Sequence, residues 1–139
     1  MHPGQLKNAA MIMLDADGLK LVNDIYGHHL GDDYLKRIAS AADEEVQGRK
    51  LSARLGGDEF ILFLYGYSSK DELEQEIQRL KECRGRSFIG DSENVPVTLE
   101  FSIGYAFYPE DERDYHALMH LADQNMYEEK RKRKKCSRE

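Results

Sequence analysis

The apolar positions along the chain alternate between short continuous runs and helical stripes. Residues 8–14, "NAAMIML", are continuously apolar and end on Asp15, the pattern of a strand buried on both faces with its polar group at the carboxyl end. This run is expected to be a central strand. "GLKLVNDIYG" then sets Leu19, Val22 and Tyr26 at helical spacing before Gly27, so a short helix stopped by glycine follows. In "DYLKRIASAADEEV" the spacing of Leu35, Ile38, Ala42 and Val46 predicts a longer amphipathic helix beginning near Gly31 or Asp32.

"KLSARL" and "EFILFLY" flank Gly56 and Gly57 and read as a β-hairpin, the glycines being expected to supply the positive φ of a primed turn. "SKDELEQEIQRLKEC" carries Leu73, Ile77 and Leu80 on one face and a cap at Ser69 or Lys70, which predicts a surface helix. "VPVTLEFSIGYAFYP" supplies further strand ended by Pro109. "DYHALMHLADQNMYEEKRKRKK" is helical, with Leu118, Leu121, Ala122 and Met126 inward. The order predicts an α+β fold, helices packed on a mostly antiparallel central sheet; patterning alone does not fix the topology.

At 139 residues the chain is one domain's worth. With 40% hydrophobic and 33% charged residues it has the makings of a core, and its longest apolar runs fall far short of the roughly 20 residues of a membrane span. No direct membrane insertion is expected. The start, "MHPGQLKN", lacks the apolar stretch of a secretory signal, and Cys83 and Cys136 have no metal-type or redox-type spacing, so a reducing cytoplasm is expected. A net charge of -6 argues against general nucleic-acid affinity, although "KRKRKK" at 130–135 is solidly basic.

If the hairpin pairs with the first strand, Asp15, Asp58 and Glu59 converge. Anions that close repel strongly unless a cation neutralises them, and hard oxygen ligands favour magnesium or manganese shared with phosphates, in a clamp of two metals. Simpler readings stand beside this one: Asp17 is expected to cap the helix that follows it, and "DE" next to "GG" also fits an exposed turn.

"LDADGLKLVNDIYGHHLGDDYL", "ARLGGDEFILFL", "VTLEFSIGYAFYP" and "LADQNMYEEK", in this order, closely resemble the catalytic domain of GGDEF-type diguanylate cyclases, which condense two GTP molecules into cyclic di-GMP. The resemblance runs from about residue 8 to 134. It implies the family's nucleotide-cyclase, palm-like fold, with residues 1–139 a single catalytic domain and a basic end at about 130–139.

By that resemblance Asp15, Asp58, Glu59 and the carbonyl of Ala16 bind Mg2+ or Mn2+, two ions per site, and Asp58 or Glu59 serves as base. Gly57, with no side chain, lets substrate approach the backbone. Asn23 and Asp32 match the guanine-reading positions: a carboxylate accepts from guanine N1–H and its exocyclic amine, whereas adenine has no such donor pair. Leu19, Lys20, Lys130 and Lys134 match phosphate-binding positions. His28 matches the family's Gly-His pair and is expected to pack or hydrogen-bond, with His29 at the surface.

Three departures from the family pattern are visible. Lys134 stands where an arginine is usual, keeping the charge without the planar fork, and Arg133 stands where a glycine is common, so the helix is expected to run on. Gln47 and Lys50 occupy the Arg and Asp positions of the R-x-x-D inhibitory motif, which implies that the inhibitory site is absent. The family's upstream L-T-G-L-x-N-R segment is not held. Catalysis is expected to need a homodimer with one GTP per subunit, and a sensory domain is expected upstream. The alternative is a silent GTP- or cyclic-nucleotide-binding regulatory module. A phosphatase-like reading of "DADG" leaves the glycine hairpin unexplained.

Overall fold

The computed structural model describes residues 7–89 and 96–137, with Phe88 and 134–137 described by backbone alone. The expectations placed on the first six residues, and on Val95, lie outside this range. The elements are β1 (Asn8–Ala16), α1 (Leu19–Tyr26), α2 (His28–Glu45), β2 (Lys50–Arg54), β3 (Glu59–Tyr67), α3 (Lys70–Glu82), β4 (Ser87–Ile89), β5 (Pro96–Thr98), β6 (Phe101–Tyr108) and α4 (Tyr115–Ser137). The main sheet has the order β2-β3-β1-β6, and every neighbouring pair is antiparallel.

β1 is central, and its unbroken apolar run has a simple cause. Alternate side chains leave a strand on opposite faces, and both faces are covered. Ala10, Ile12, Leu14 and Ala16 enter the core beneath α2 and α3, with Leu30, Tyr34, Ile38, Leu73 and Ile77. Met11 and Met13 enter a second cluster with Leu118, Ala122 and Met126 of α4. The fold is therefore helices, sheet, helix in three layers, and Asp15 continues the Met11–Met13 series onto the α4 face.

Several expectations are corrected. α2 starts at His28, not near Gly31: one residue, Gly27, with φ 92°, separates it from α1. Left-handed backbone at a single glycine lets the chain stop one helix and begin another without a loop. Asp32 is consequently inside α2 rather than at its cap, and His28 is exposed rather than packed. The Gly56–Gly57 bend is present, but neither glycine has positive φ. The link between β2 and β3 is four residues long, so a primed two-residue turn is not required. Instead Arg54 holds the link, donating to the carbonyls of Gly56 at 3.0 Å and Gly57 at 2.7 Å.

The expected strand across "VTLEFSIGY" is broken in two. Leu99 dips into the core while its backbone bonds to Gly85 and Arg86, and β5 leaves to pair with the short β4, which the sequence pattern did not reveal. α3 follows its pattern, with the Ser69 hydroxyl accepting the Glu72 N–H. Among the described residues no helix is long and apolar enough to cross a membrane.

Candidate active site

β1 ends between two partners in register: Asp15 lies opposite Glu59 on β3 and opposite Ser102 on β6. The pairing is extended by the Ala16 N–H, which donates to the Asp58 carbonyl at 2.8 Å, and by the Asp17 N–H, which donates to the Glu100 carbonyl at 3.0 Å. These bonds fix where the acidic residues stand. The hairpin does pair with the first strand, as the convergence of its acids requires.

Asp15 is 4% exposed. Its Oδ2 accepts from the Lys130 ammonium at 2.7 Å, while its Oδ1 is buried without a hydrogen-bond partner. Burial raises the Asp15 pKa; Lys130 pulls against that rise, and Asp58 and Asp17 add to it. Glu59 is raised too, first by burial and then by Asp15, Asp123 and Asp58. Burial works against the charge on Lys130, but its hydrogen bond to Asp15 and the attraction of Asp15, Asp17 and Asp58 outweigh it and raise its pKa.

An open cleft of about 810 Å³ is lined by Asp58, Leu19, Lys20, Lys130 and Arg133 among others; Asp15 and Glu59 are not among its lining residues and reach it through their neighbours Ala16, Asp58 and Lys130. Lys20 is exposed at its edge. Gly57 is not among the lining residues described; its carbonyl is taken by Arg54. Asn23 is on α1 but, like Asp32, is not among the lining residues described; its Oδ1 is buried without a partner and stands 1.7 Å from where a Cβ on Gly31 would be. Asp32 is the next residue along α2 and is exposed. The side chain of Lys134 lies outside what the structure describes.

Asp17 does not cap α1. The N-cap is Gly18, with no side-chain bond, and the Asp17 carboxylate instead accepts the Ser102 hydroxyl at 2.8 and 3.1 Å and the Arg133 guanidinium at 3.0 Å. At the R-x-x-D positions, Lys50 donates to the Asp43 carbonyl at 2.6 Å and pairs with the Asp43 carboxylate at 3.3 Å, at the C-terminal end of α2. A cation there suits the helix dipole.

A sequence profile of the family described as "Diguanylate cyclase, GGDEF domain" matches residues 3–136. The chain belongs to the GGDEF diguanylate cyclase family. It is 39% identical over 121 residues to the bifunctional diguanylate cyclase/cyclic di-GMP phosphodiesterase MucR of Pseudomonas aeruginosa, covering 87% of this chain and 17% of that protein. It is 38% identical over 128 residues to diguanylate cyclase DgcN of Escherichia coli, covering 91% and 31%. The chain thus spans less than a third of these two relatives. Among solved structures, the GGDEF domain of TpbB (YfiN) from Pseudomonas aeruginosa superposes with a TM-score of 0.84 at 32% identity, covering 91% of this chain and 73% of that one. The GGDEF domain of DgcB from Caulobacter crescentus, solved with c-di-GMP, gives 0.76 at 26%, covering 89% and 72%.

GGDEF diguanylate cyclases generally use a divalent metal. The donor set of this member fits one: the unpartnered, buried Oδ1 of Asp15 is a hard oxygen whose desolvation a cation would offset, with Glu59 opposite it on β3 and Asp58 just ahead of that strand. Among the described residues, however, no three His, Cys, Asp or Glu side chains are gathered into a metal-holding group as they stand, and Asp15 is engaged by Lys130.

Sequence reasoning missed the ring behind this GGDEF site: Arg133, Glu100, Ser102 and Tyr34. Two signals were available. Tyr34 falls four residues from Leu30 and from Ile38, on the buried stripe of α2, and Glu100 is a lone charge inside an apolar run.

Proposed function

We propose that this domain condenses two GTP molecules into cyclic di-GMP with release of two pyrophosphates, as half of a homodimer in which each subunit holds one GTP. One observation carries the reading: a buried, half-satisfied Asp15 carboxylate stands in register with Glu59 and beside Asp58, where a cleft lined by lysines opens. Asp15, Asp58, Glu59 and the Ala16 carbonyl would hold Mg2+ or Mn2+. When bound, such ions polarise the α-phosphate and steady the charge on the leaving oxygens.

The chain's own groups have separable tasks. Asn23 and Asp32 would hold the guanine edge, Asp32 accepting from N1–H and the exocyclic amine. The Leu19 turn, Gly57 and the lysines Lys20, Lys130 and Lys134 would cradle the phosphates, placing positive charge where negative charge develops. The ribose 3′-oxygen of one GTP then bonds to the α-phosphorus of the facing GTP as the bond to pyrophosphate breaks. The hydroxyl proton passes to Asp58 or Glu59. A two-fold axis makes both half-reactions equivalent.

The same reading places residues 1–139 as a single catalytic domain working in a cytoplasm that supplies GTP, under an upstream sensory domain, with no nucleic acid as partner. The test is the chain fused to a dimerising coiled coil and supplied with GTP and magnesium. Cyclic di-GMP should form, and Asp58→Ala should lower the rate by at least about 10²-fold. Product that persists undiminished in Asp58→Ala would break the assignment, and tight GTP binding without turnover would favour a silent regulatory module.

A further inference from the structure

We infer that Arg133 is a positioning residue of the nucleotide site: it ties the last turns of α4 to the strand ends and thereby holds the Lys130 ammonium against Asp15 at the cleft. The inference rests on the reading of Lys130 as a phosphate ligand. It begins with the stripe that α4 turns to the sheet. Met126, Glu129, Lys130 and Arg133 are three or four residues apart and share one face. The apolar anchors of the helix end at Met126. Beyond that point the described contacts with the sheet are polar: Glu129 with Arg84 and the Ile103 N–H, Lys130 with Asp15, and Arg133.

Arg133 reaches three acceptors from two distant segments. Its Nη1 donates to Asp17 at 3.0 Å and to the Phe101 carbonyl, and its Nη2 pairs with the Glu100 carboxylate. Those acceptors are themselves fixed. Ser102 holds the Asp17 carboxylate, and the Tyr34 hydroxyl bonds to the carbonyls of Asp17 at 2.8 Å and Glu100 at 2.6 Å while accepting the Glu100 N–H at 3.0 Å. A planar guanidinium bridging two carboxylates fixes direction as well as distance, which an ammonium on a flexible stem does not. Both residues line the cleft, but they are held differently: Arg133 is bound to three acceptors on the strand ends, and the lysine one turn before it has the Asp15 carboxylate as its partner, leaving ammonium donors for the cleft.

The test uses the 139-residue chain and an amine-acetylating reagent, with labelling of Lys130 measured by mass spectrometry against exposed Lys132 in the same molecule. In Arg133→Gln the Lys130 to Lys132 labelling ratio should rise several-fold, and Arg133→Lys should fall between that variant and the parent. Glu100→Gln, which removes one anchor from the opposite side without touching a charge that acts on Lys130, should raise the ratio too, and it serves if Arg133→Gln does not fold. Calorimetry with GTP and magnesium should show Arg133→Gln weakening binding about tenfold, the scale of one charge-assisted interaction. The same change in a Lys130→Met background should add little, because the effect passes through Lys130. An unchanged labelling ratio in a folded variant, or losses that add in full, would overturn the inference. If the parent chain takes no GTP, the functional reading falls while the labelling ratio still decides the position of Lys130.

Discussion

The two faces of the central sheet are built differently. Beneath α2 and α3 the described core holds 23 buried residues, and beneath α4 it holds seven. The thick side therefore carries most of the apolar stabilisation. The thin side makes up the difference with close approach and charge: Gly104 and Ala106 on β6 let the backbone of α4 lie almost on the strand, and Asn125, Glu129, Lys130 and Arg133 then tie the helix down by hydrogen bonds and ion pairs. Asp15, Asp17 and Ser102 belong to the thin side. The acidic end of the candidate site thus stands where the packing is polar, while α1 and Tyr34, which line the other wall of the cleft, are packed on the larger core.

The sharpest way to break this comparison is Gly104→Ala. An added Cβ would stand 2.0 Å from the Met126 nitrogen and 2.3 Å from the Ala122 carbonyl oxygen. Both are backbone atoms, so no side chain can swing away and α4 must lift. The expected loss is about 3 kcal/mol or more, the upper end for overpacking, with GTP affinity falling as Lys130 moves off. Gly56→Ala is the control: nothing lies within 4 Å of its added Cβ, and stability should change by no more than about 0.5 kcal/mol. Urea titration of both variants decides. Similar midpoints would mean that α4 is not held by contact at Gly104.

Tyr34→Phe probes the seam between the two sides, since Tyr34 is rooted in the thick core while its hydroxyl braces the Asp17–Glu100 segment. Removing the hydroxyl leaves the Glu100 N–H short of a partner and should cost about 1–3 kcal/mol. A pH signature should accompany the loss. Burial above all, with Asp17 and Glu100 adding, pushes the Tyr34 pKa from 10.0 up to about 12. Between those values the unfolded chain binds fewer protons than the folded one, so stability is complete below about 10 and falls as pH rises towards about 12. Tyr67 is raised likewise to about 12, so the Phe variant should show a shallower alkaline loss, not a flat line.

How far the sequence could be read follows the same division. β1, the hairpin, α3 and the apolar half of α4 were legible because each buries its apolar residues at a simple period: Ile12 and Leu14 against Met11 and Met13, or Leu73, Ile77 and Leu80. The pairing of β1 with the hairpin was inferable from the acids it would gather. What period does not encode was missed. A single left-handed glycine moved the start of α2 to His28, and the break between β5 and β6 depends on a tyrosine hydroxyl from 66 residues away. The role of Asp17 was misassigned because local sequence offered a helix to cap, whereas Ser102 and Arg133, 85 and 116 residues distant, supply its actual partners.

The smallest effect is expected at Ser69→Ala, just beyond the Tyr67 end of β3, the end opposite Glu59. Ser69 stands ahead of α3 in extended conformation, and its hydroxyl accepts the Glu72 N–H at 3.3 Å, satisfying one of the donors a helix start leaves open. Alanine cannot accept that bond, so about 1 kcal/mol should be lost. The buried face of α3 is untouched: Leu73, Ile77 and Leu80 stay in the core. The urea midpoint should fall with the slope unchanged, because the surface exposed on unfolding is the same. Ser69→Asp should recover most of the loss, as it can still accept the bond and adds negative charge at a helix N-terminus. GTP affinity should be equal in all three proteins. If it drops in Ser69→Ala in proportion to stability, the two faces are coupled through the sheet, and α3 is part of the site rather than its support.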